Sequence, residues 1–503
     1  MNEKSKLIYK LIIEAKIILE SPLRIASGEY DYLTDIVILK DAENRPYIPA
    51  TSLAGVLRSE LKKLGVNDTL LFGDSKDNDH QSLLAIDDVL LKNYQMVIRD
   101  GVKISSVLNT AIKGAKFDYE LVDKGANGTL VMELTLRACH ESKKTEILQN
   151  IDAVIKLLTD GVQVGSLTTK GFGKLKAQSI ECYEFDFIND NSNAAGDWLK
   201  YIKNDQENWN NIKRRKLDSS KPRPAHDNFV MKLSCRLQNA LLVRDYNTED
   251  DKLKNTKDGE QNQSKDDKLD NAEDGKMNKS ETTLVAKQLM SGDEYVIPGT
   301  SVKGVLRHRA EYILNTLMRP KDDAAKKKIN DKLNVMMGYS TEQESRKSNL
   351  IVQEVYIKAN PKENSLIRQA RVKIDRFTGG VLEGPFFEKT LWEHLNESGP
   401  ETAPKHKTET VVFNITIENR DKQRNIDSEI GLLLLLMKDI WLGNVAFGGG
   451  KNIGRGFMQG ISCEIDDRGE KIVFENDSKG ISIKEGDKSN LQYYVDCLVG
   501  ELK

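Results

Sequence analysis

The sequence predicts an α+β protein in which one domain of element order βαββαβ occurs twice in tandem. Residues 47–58 and 296–307 are identical at eight of twelve positions, sharing Ile-Pro, Thr-Ser and the ending Gly-Val-Leu-Arg. Strand-like and helix-like segments surround these two turns in the same order in both halves. Because a shared order of elements separates a duplicated domain from a reused short motif, we expect two ferredoxin-like, or RRM-like, domains.

The first half shows each element of that order. Apolar patterning predicts a strand at 7–19 and an amphipathic helix at 52–64. An apolar strand at 82–91 and a ribbon of basic and acidic residues at 98–118 come next. A second helix and a glycine-rich loop at 169–174 then lead into the closing strand. The apolar face of that helix consists of Ile147, Leu148, Ile151, Val154, Ile155 and Leu158.

The second half repeats these elements, and the repetition fixes the predicted boundaries. Its strands, helices, ribbon and loop are expected at 229–243, 301–317, 348–357, 372–388, 426–442 and 448–457. We therefore expect a first domain at 1–187, a polar linker at 188–227, a second domain at 228–465 and a C-terminal extension at 466–503. An insertion at 244–282 has almost no apolar residues and is predicted to be disordered.

Composition excludes several classes of protein. The longest apolar run, 432–437, is far shorter than the ~20 residues of a membrane-spanning helix, so no membrane partner and a cytoplasmic location are expected. The five cysteines form no CxxC pair, which argues against a zinc site. The net charge of −2 does not suggest nucleic acid, but ten acidic residues and seven lysines at 247–280 contribute −3 of it. The other basic side chains can therefore gather on one face.

The Pro-x-Thr-Ser turns are candidate anion sites. Proline ends the preceding strand, and a following Thr or Ser can cap the helix. The free amides and the helix dipole favour a phosphate at that end, where arginines in the second helical turn add positive charge. Plain helix capping is the alternative interpretation. The candidate phosphate-binding residues of the turns are Thr51, Ser52, Arg58, Thr300, Ser301, Lys303 and Arg307.

The glycine-rich loops are candidates for the same chemistry. Residues without Cβ let a backbone approach a phosphate or another backbone closely, and lysine or arginine accompanies the glycines in both loops. Neither loop has the strand–GxxxxGKS–helix context of a triphosphate site, and a tight turn is the alternative. The candidate residues are Lys170, Gly171, Phe172, Gly173 and Lys174, and Lys451, Asn452, Gly454, Arg455 and Gly456.

Three segments together resemble the RAMP superfamily of CRISPR-associated proteins. They read Ile-Pro-Gly-Thr-Ser-Val-Lys-Gly-Val-Leu-Arg at 297–307, Val-Lys-Ile-Asp-Arg-Phe-Thr-Gly-Gly at 372–380 and Gly-Arg-Gly-Phe at 454–457. More closely, the chain resembles the backbone subunits of type III effector complexes, of which a double-length fusion is one variant. The resemblance implies a guide crRNA and a paired target RNA as partners. It also implies neighbouring subunits: a large polymerase-like subunit, other RAMP backbone subunits and small subunits.

The resemblance assigns roles to the predicted elements. The helices after the two Pro-x-Thr-Ser turns, together with the glycine loops, would hold guide phosphates, a mode that positions RNA without reading its sequence. The ribbons at 98–118 and 372–388 would be thumb hairpins that wedge into the guide–target duplex and splay out a nucleotide. A splayed linkage can reach the in-line geometry that attack by a 2′-hydroxyl needs.

The resemblance also implies a catalytic residue. Cleaving members place an aspartate between the first strand and the Pro-x-Thr/Ser-Ser turn, where this chain has Asp35, with Asp31 a weaker candidate. Asp35 would bind Mg²⁺ or Mn²⁺ beside the scissile phosphate or orient the attacking hydroxyl. The same offset in the second half falls on Leu284, with Glu281 the nearest acid, so the second domain is expected to bind without cutting, although Asp245 or Glu281 could be brought in by the fold. A solvated loop acid is the alternative interpretation of Asp35.

Three other functions stay open at the level of sequence. A subunit of the same complex could space the guide without cleaving. An ordinary single-stranded RNA-binding protein would need stacking aromatics on its sheet, and aromatic residues make up only 6% of the chain. A guide-processing RAMP endonuclease would use a histidine as general acid or base, and no histidine lies near the early helix of the first half.

Overall fold

A computed structural model describes most of the chain. The described residues are 3–29, 35–74, 81–188, 193–203, 212–215, 228–245, 285–341, 343–358, 366–381, 386–392, 410–420, 424–477, 480–487 and 489–502. The insertion predicted at 244–282 lies almost entirely outside these ranges, as do Asp31, Glu281 and Leu284.

The first domain begins with a long strand and ends with a helix from the predicted linker. In chain order its elements are β1 (Leu7–Leu19), β2 (Tyr47–Ile48), α1 (Ala50–Lys63), α2 (Thr69–Phe72), β3 (Leu84–Ile86), β4 (Val89–Leu90), β5 (Met96–Ile104), β6 (Ala111–Val122), β7 (Asn127–Arg137), α3 (Lys144–Asp160), β8 (Val162–Gln163), β9 (Lys174–Asp186) and α4 (Ala194–Ile202).

The main sheet of the first domain is antiparallel, with the strand order β3–β7–β1–β9–β8. The first strand of the βαββαβ order therefore lies between the third and the fourth, which is the ferredoxin-like arrangement. Helices α1 and α3 bury their apolar faces on one side of this sheet. Leu53, Leu57 and Leu61 are fully buried there because a spacing of four places them on one face of α1.

The second domain repeats the first and adds elements at its C-terminal end. In chain order its elements are β10 (Phe229–Leu237), β11 (Ala240–Leu241), β12 (Arg244–Asp245), β13 (Val285–Gln288), β14 (Met290–Ser291), β15 (Glu294–Ile297), α5 (Gly299–Met318), α6 (Asp323–Met337), β16 (Tyr339–Ser340), β17 (Ser345–Arg346), β18 (Leu350–Val352), β19 (Val355–Lys358), β20 (Leu366–Arg371), β21 (Phe386–Trp392), β22 (Thr410–Ile417), α7 (Asp427–Trp441), β23 (Met458–Asp467), β24 (Glu470–Asp477), β25 (Gly480–Glu485) and α8 (Ser489–Leu502).

The second sheet has the order β18–β22–β10–β23–β24–β25. Its first four strands reproduce the order of the first domain, which confirms the tandem α+β fold. The chain after Asp466 is part of this domain, because β24 and β25 continue the sheet beyond β23 and α8 packs on α7. A Cβ on Gly431 of α7 would lie 2.2 Å from the carbonyl oxygen of Tyr494 in α8, so glycine permits this close contact.

Part of the predicted linker also packs on the first domain. Helix α4 covers the face of the first sheet opposite α1 and α3. The rings of Trp198 in α4 and Phe185 in β9 meet edge to face, with centroids 5.2 Å apart. Arg214 pairs with Tyr183 at the open edge of β9. Within the described residues, no helix is long and apolar enough to cross a membrane.

The starts of the two helices after the Pro-x-Thr-Ser turns differ from the prediction. Helices α1 and α5 begin directly after Pro49 and Pro298, which occupy the N-cap position without a side-chain cap. The expected capping by Thr or Ser is therefore wrong. Pro49 has φ −62° and ψ 139°, and the extended backbone of an N-cap residue suits the fixed φ of proline. Thr51 and Ser52 lie in the first helical turn instead.

The strands predicted at 82–91 and 348–357 are each split in two by a bend. In the first domain β3 joins the main sheet, whereas β4 pairs with β2 in front of Pro49. In the second domain β18 and β19 make the corresponding two pairings. The bends bring residues 87–88 and 353–354 beside the starts of α1 and α5.

Candidate nucleic-acid interface

The glycine loop of the first domain lies against the start of α5 in the second domain. A Cβ on Gly299 would be 2.0 Å from the carbonyl oxygen of Lys170, and one on Gly171 would be 2.5 Å from the backbone nitrogen of Glu354. Glycine is therefore required on both sides of this joint. The glycine loops and the helix starts were expected to hold the same phosphates, and in the structure the loop of the first domain lies against the helix start of the second.

A buried ion pair closes the joint. Arg99 of hairpin strand β5 places Nη1 2.6 Å from Oε1 of Glu354, and both side chains are almost fully buried. Thr300 in the first turn of α5 lies beside the hydroxyl group of Tyr119, whose pKa is raised chiefly by burial. Nearby, Asp123 accepts a hydrogen bond of 2.8 Å from the backbone nitrogen of Gly292. These contacts hold the two domains as neighbours in a fixed orientation.

Lys303 lies inside this joint, with only 6% of its surface exposed. Its Nζ donates to the carbonyl oxygens of Leu350, at 2.8 Å, and Thr169, at 3.3 Å. Burial, together with the neighbouring positive charges, lowers the pKa of Lys303 to about 7. The neighbouring cations are Lys170, Arg307, Lys347 and Arg420. The joint is thus a concentration of positive charge that suits a polyanion.

Three cations of this region were not found from the sequence. Lys347 and Arg420 contribute to the field around Lys303. The guanidinium of Arg24 lies 5.4 Å from the centre of the Tyr119 ring, and burial lowers its pKa. The three residues lie far apart in the chain and follow no shared motif, so only the folded structure groups them.

The two predicted arginines of the helix starts bind protein groups. The Nε atom of Arg58 lies 2.6 Å from Oδ2 of Asp68. The Nη2 atom of Arg307 lies 3.0 Å from Oδ1 of Asn334. Each arginine thus ties its helix to the segment that follows. Thr51 at the start of α1 is exposed, whereas Ser52, Thr300 and Ser301 are half-buried.

The two glycine loops have the same backbone but different surroundings. Residues 168–173 are packed against the second domain, and Lys174 next to them pairs with Glu20 at 2.7 Å. In the second loop Lys451 and Asn452 are exposed, and a Cβ on Gly454 would meet nothing within 4 Å. The second loop therefore has open space around Gly454, although Lys451 contacts the tip of the hairpin formed by β5 and β6.

The hairpin formed by β5 and β6 reaches from the first domain across the second. Asn109 at its tip accepts a hydrogen bond of 2.7 Å from Nζ of Lys451. Ser106 donates to Glu311 on α5 at 3.3 Å. Val107 and Leu108 at the tip are largely exposed. The hairpin thus extends over the second domain with apolar side chains exposed at its tip.

One predicted side chain in each glycine loop is buried, together with the glycines Gly171, Gly173 and Gly456. Phe172 packs edge to face on Tyr119, with ring centroids 6.3 Å apart. Arg455 pairs with Glu388 at 2.8 Å and is 4% exposed. Neither side chain presents a surface to RNA. Lys303 is closed to RNA in the same way, and the prediction that the three bind RNA has no support in their placement.

Asp35 lies at the root of the hairpin formed by β5 and β6. Its Oδ2 accepts a hydrogen bond of 2.9 Å from the backbone nitrogen of Asp118, and the side chain is exposed. A hydrogen bond with Asp100 raises the pKa of Asp118, and burial and the negative charges of Asp100 and Asp35 raise it further. Lys116 lies 3.3 Å from Asp100. The carboxylates of three aspartates therefore share a small, partly exposed region.

Strand pairing identifies the counterpart of Asp35 in the second domain. In the first domain, Ile36 pairs in parallel with Tyr119 of β6. In the second domain, Ala286 makes the same parallel pairing with Glu388 of β21, so Ala286 corresponds to Ile36. The residue before Ala286 is Val285. Counting back from Pro298 by the offset between Pro49 and Asp35 had given Leu284, one residue before Val285. Both methods therefore place an apolar residue where the first domain has an aspartate.

The described residues contain no group of three or more His, Cys, Asp or Glu side chains that could hold a metal ion. The oxygen ligands of the Asp35 region are nevertheless of the type that Mg²⁺ and Mn²⁺ prefer. A cation there would need phosphate oxygens or water to complete its coordination.

An aromatic face on the first sheet was missed from the sequence. Tyr183, Phe185 and Phe187 alternate along β9 and point to the side opposite α1 and α3. In an RRM-like domain such a face stacks bases. Here Trp198 and Tyr201 of α4 cover it. The alternation was visible in the sequence, but the covering helix was not.

The protein consists of two ferredoxin-like domains, and the glycine loop of the first packs against the start of α5 in the second. Several cationic side chains lie around this joint. The family model of the RAMP superfamily matches residues 16–176 and 275–459, which is well over half of the chain and one region in each domain. The chain belongs to the RAMP superfamily. No curated protein matches it.

Proposed function

We propose that the chain is a guide-RNA-binding backbone subunit of a type III CRISPR ribonucleoprotein and that its first domain cleaves target RNA paired to the guide. The supporting observation is the joint, where a glycine loop, a helix start and several cations converge. Guide phosphates pass along this surface by contacts to Lys170, Lys347 and Arg420. Such contacts position RNA independently of its sequence, and base pairing to the guide supplies the specificity.

The hairpins support the second part of the proposal. The tip of the β5–β6 hairpin carries the exposed apolar residues Val107 and Leu108, and the turn after β20 carries Phe377, which is 86% exposed. Apolar side chains of this kind separate stacked bases. Asp35 lies at the root of the first hairpin, on the side of the domain where Tyr119 reaches α5.

Asp35 has a limited role in this mechanism. Its carboxylate orients the 2′-hydroxyl of the splayed nucleotide or holds a divalent cation against the scissile phosphate. Mg²⁺ or Mn²⁺, when bound, offsets negative charge on that phosphate. The second domain has Val285 at the matching position, so one cleavage per copy of the chain is expected.

Asp35→Asn in the assembled complex tests the catalytic assignment. We expect cleavage at the position served by the first domain to slow by roughly 100-fold or more, with guide and target binding unchanged. Asp323→Asn, on the exposed surface of α6, is the matched control. Undiminished cleavage at every position with Mg²⁺ present would show that the chain is instead a non-catalytic guide scaffold of the same complex, the alternative favoured by the lack of a three-ligand group in the described residues.

Charge reversal in the joint tests the RNA-binding surface. Lys170→Glu and Lys347→Glu should weaken binding of single-stranded RNA regardless of its sequence, and each should make the salt dependence shallower by about 0.7 in log–log slope. Fluorescence anisotropy at several salt concentrations measures both effects. Lys326→Glu on α6 should change neither.

The RNA that copurifies with the chain provides an independent test. Discrete guides derived from CRISPR repeats are expected. A mixture of cellular RNA would contradict the proposal and point to an ordinary RNA-binding protein.

A further inference from the structure

The buried amine inside the joint has hydrogen bonds that suit its neutral form. Lys303 of α5 is 6% exposed, and its Nζ donates to the backbone oxygens of Leu350 at 2.8 Å and Thr169 at 3.3 Å. A neutral amine has two N–H groups, and these two hydrogen bonds use both of them. A protonated amine has three N–H groups. The carbonyl oxygens around Lys303 therefore satisfy the neutral amine, whereas the charged amine has one N–H group to spare.

The charges that act most strongly on Lys303 are positive. They come from four segments, which supply Lys170 of the glycine loop, Arg307 of α5, Lys347 before β18 and Arg420 after β22. Glu418 lies beside two of these cations, but its carboxylate is already paired with Lys63 and Arg420. Burial and this positive field together bring the pKa of Lys303 to about 7. Near neutral pH the amine therefore exchanges between its two forms.

The other titratable groups of this region respond less near neutral pH. Burial lowers the pKa of Lys170 and of Lys347, but Lys170 is only half-buried and Lys347 is exposed. His308 of α5 donates to the backbone oxygen of Ile104, and burial lowers its pKa from 6.5. At pH 7.5 His308 is therefore largely uncharged. Lys303 is the buried cation of the cluster whose charge depends most on its surroundings at that pH.

A bound phosphate backbone would change those surroundings. The guide phosphates of the proposed function contact Lys170, Lys347 and Arg420, and these are three of the cations whose charge opposes protonation of Lys303. Negative charge placed beside them offsets their field, and a nearby opposite charge favours the charged form of an amine. Lys303 is closed to the RNA, so the effect reaches it through the electrostatic field and not through contact.

We propose that binding of an RNA backbone at the joint is coupled to the uptake of a proton by the buried amine of Lys303. The proton comes from solvent, and Lys303 is protonated in the RNA-bound chain. Because the bound state then holds more protons than the free state, RNA binds more tightly as the pH falls and more weakly as it rises. The inference rests on the guide binding proposed above, but not on cleavage.

Isothermal titration calorimetry of the full chain counts the protons taken up. An oligouridylate serves as the RNA, since its bases and phosphates do not titrate near pH 7.5, and buffers of different ionisation enthalpy reveal the uptake. At pH 7.5 we expect about half a proton per chain for the wild type, and close to none of this component for Lys303→Met. Between pH 8.5 and pH 6.5 the wild type should gain severalfold more affinity than Lys303→Met. Lys326→Met, on the exposed face of α6, is the matched control and should behave as the wild type.

The pH profile of the wild type gives a second measurement that needs no variant. Uptake should be largest between about pH 7.5 and 9, and small near pH 6, where Lys303 is already protonated in the free chain. Equal uptake by the wild type and Lys303→Met, or a flat profile, would overturn the inference while leaving RNA binding intact. A wild-type chain that binds no RNA would overturn the proposed function and this inference with it.

Discussion

At the scale of residues, equivalent positions in the two domains keep their backbone geometry and change their chemistry. Gly173 and Gly456 have φ of +74° and +79°. Each lies against the carbonyl oxygen of an equivalent residue, Val164 in the first domain and Phe447 in the second. The residues before them are Phe172, which packs on an aromatic ring, and Arg455, which pairs with a carboxylate. Both copies of the domain thus keep a glycine with positive φ at this position, whereas the side chain before the glycine differs between the two copies.

Lys303 provides a residue-scale prediction about pH. Its pKa falls from 10.5 to about 7 on folding, so the unfolded chain binds more protons than the folded chain between these values. The contribution of Lys303 to the free energy of unfolding is therefore fully present above pH ~10.5. It decreases as the pH falls and is lost once the pH has fallen through about 7. Lys303→Met should remove this dependence, which amounts to on the order of 3–5 kcal/mol across the window.

Urea denaturation of the wild type and of Lys303→Met at several pH values measures this difference in the free energy of unfolding. Lys326→Met on the exposed face of α6 is the control, and it should follow the wild type at every pH. Parallel curves for Lys303→Met and the wild type would contradict the assigned role of burial.

At the scale of elements, the glycine loops test which glycines the fold requires. A Cβ on Gly173 would lie 1.8 Å from the carbonyl oxygen of Val164, whereas a Cβ on Gly454 has open space although φ is +81°. Gly173→Ala should cost several kcal/mol or prevent folding, since both the backbone and the space oppose it. Gly454→Ala should cost only about 1 kcal/mol, the penalty of the left-handed region.

The unfolding free energy of each variant, from chemical denaturation, is the relevant measurement. Gly456→Ala should match Gly173→Ala, since its Cβ would lie 1.9 Å from the carbonyl oxygen of Phe447. Equal losses for Gly173→Ala and Gly454→Ala would show that close contact does not decide the effect.

At the scale of the whole molecule, the buried pair of Arg99 and Glu354 couples the two domains. Removing one partner leaves the other charge buried, so Arg99→Ala should cost about 3–5 kcal/mol and separate the unfolding of the domains into two transitions. The double variant Arg99→Met with Glu354→Leu should cost less, because neither charge remains.

A double-mutant cycle, with free energies of unfolding from chemical denaturation, gives the coupling free energy between Arg99 and Glu354. The exposed pair of Lys326 and Asp323 serves as the control and should contribute less than about 1 kcal/mol. A loss for Arg99→Ala no larger than that of the control would show that the joint is not held by this pair.

Local chemistry made the duplicated fold readable from the sequence. Proline fixes φ at the start of α1 and α5, glycine permits the left-handed turns of the loops, and apolar spacing defines strands and helices. These properties act over a few residues, so they appear as patterns in the chain. The position of Asp35 between the first strand and the Pro-x-Thr-Ser turn was available from the sequence for the same reason.

The joint was decided only by the tertiary structure. Arg99 and Glu354 are 255 positions apart, and no local pattern marks them as partners. The sequence likewise gave no sign that α4 covers the aromatic face of β9, or that Lys303 is buried among cations. The side chains of a candidate RNA surface are recognisable one by one, but their exposure depends on which distant segment packs over them, and only the folded chain determines that.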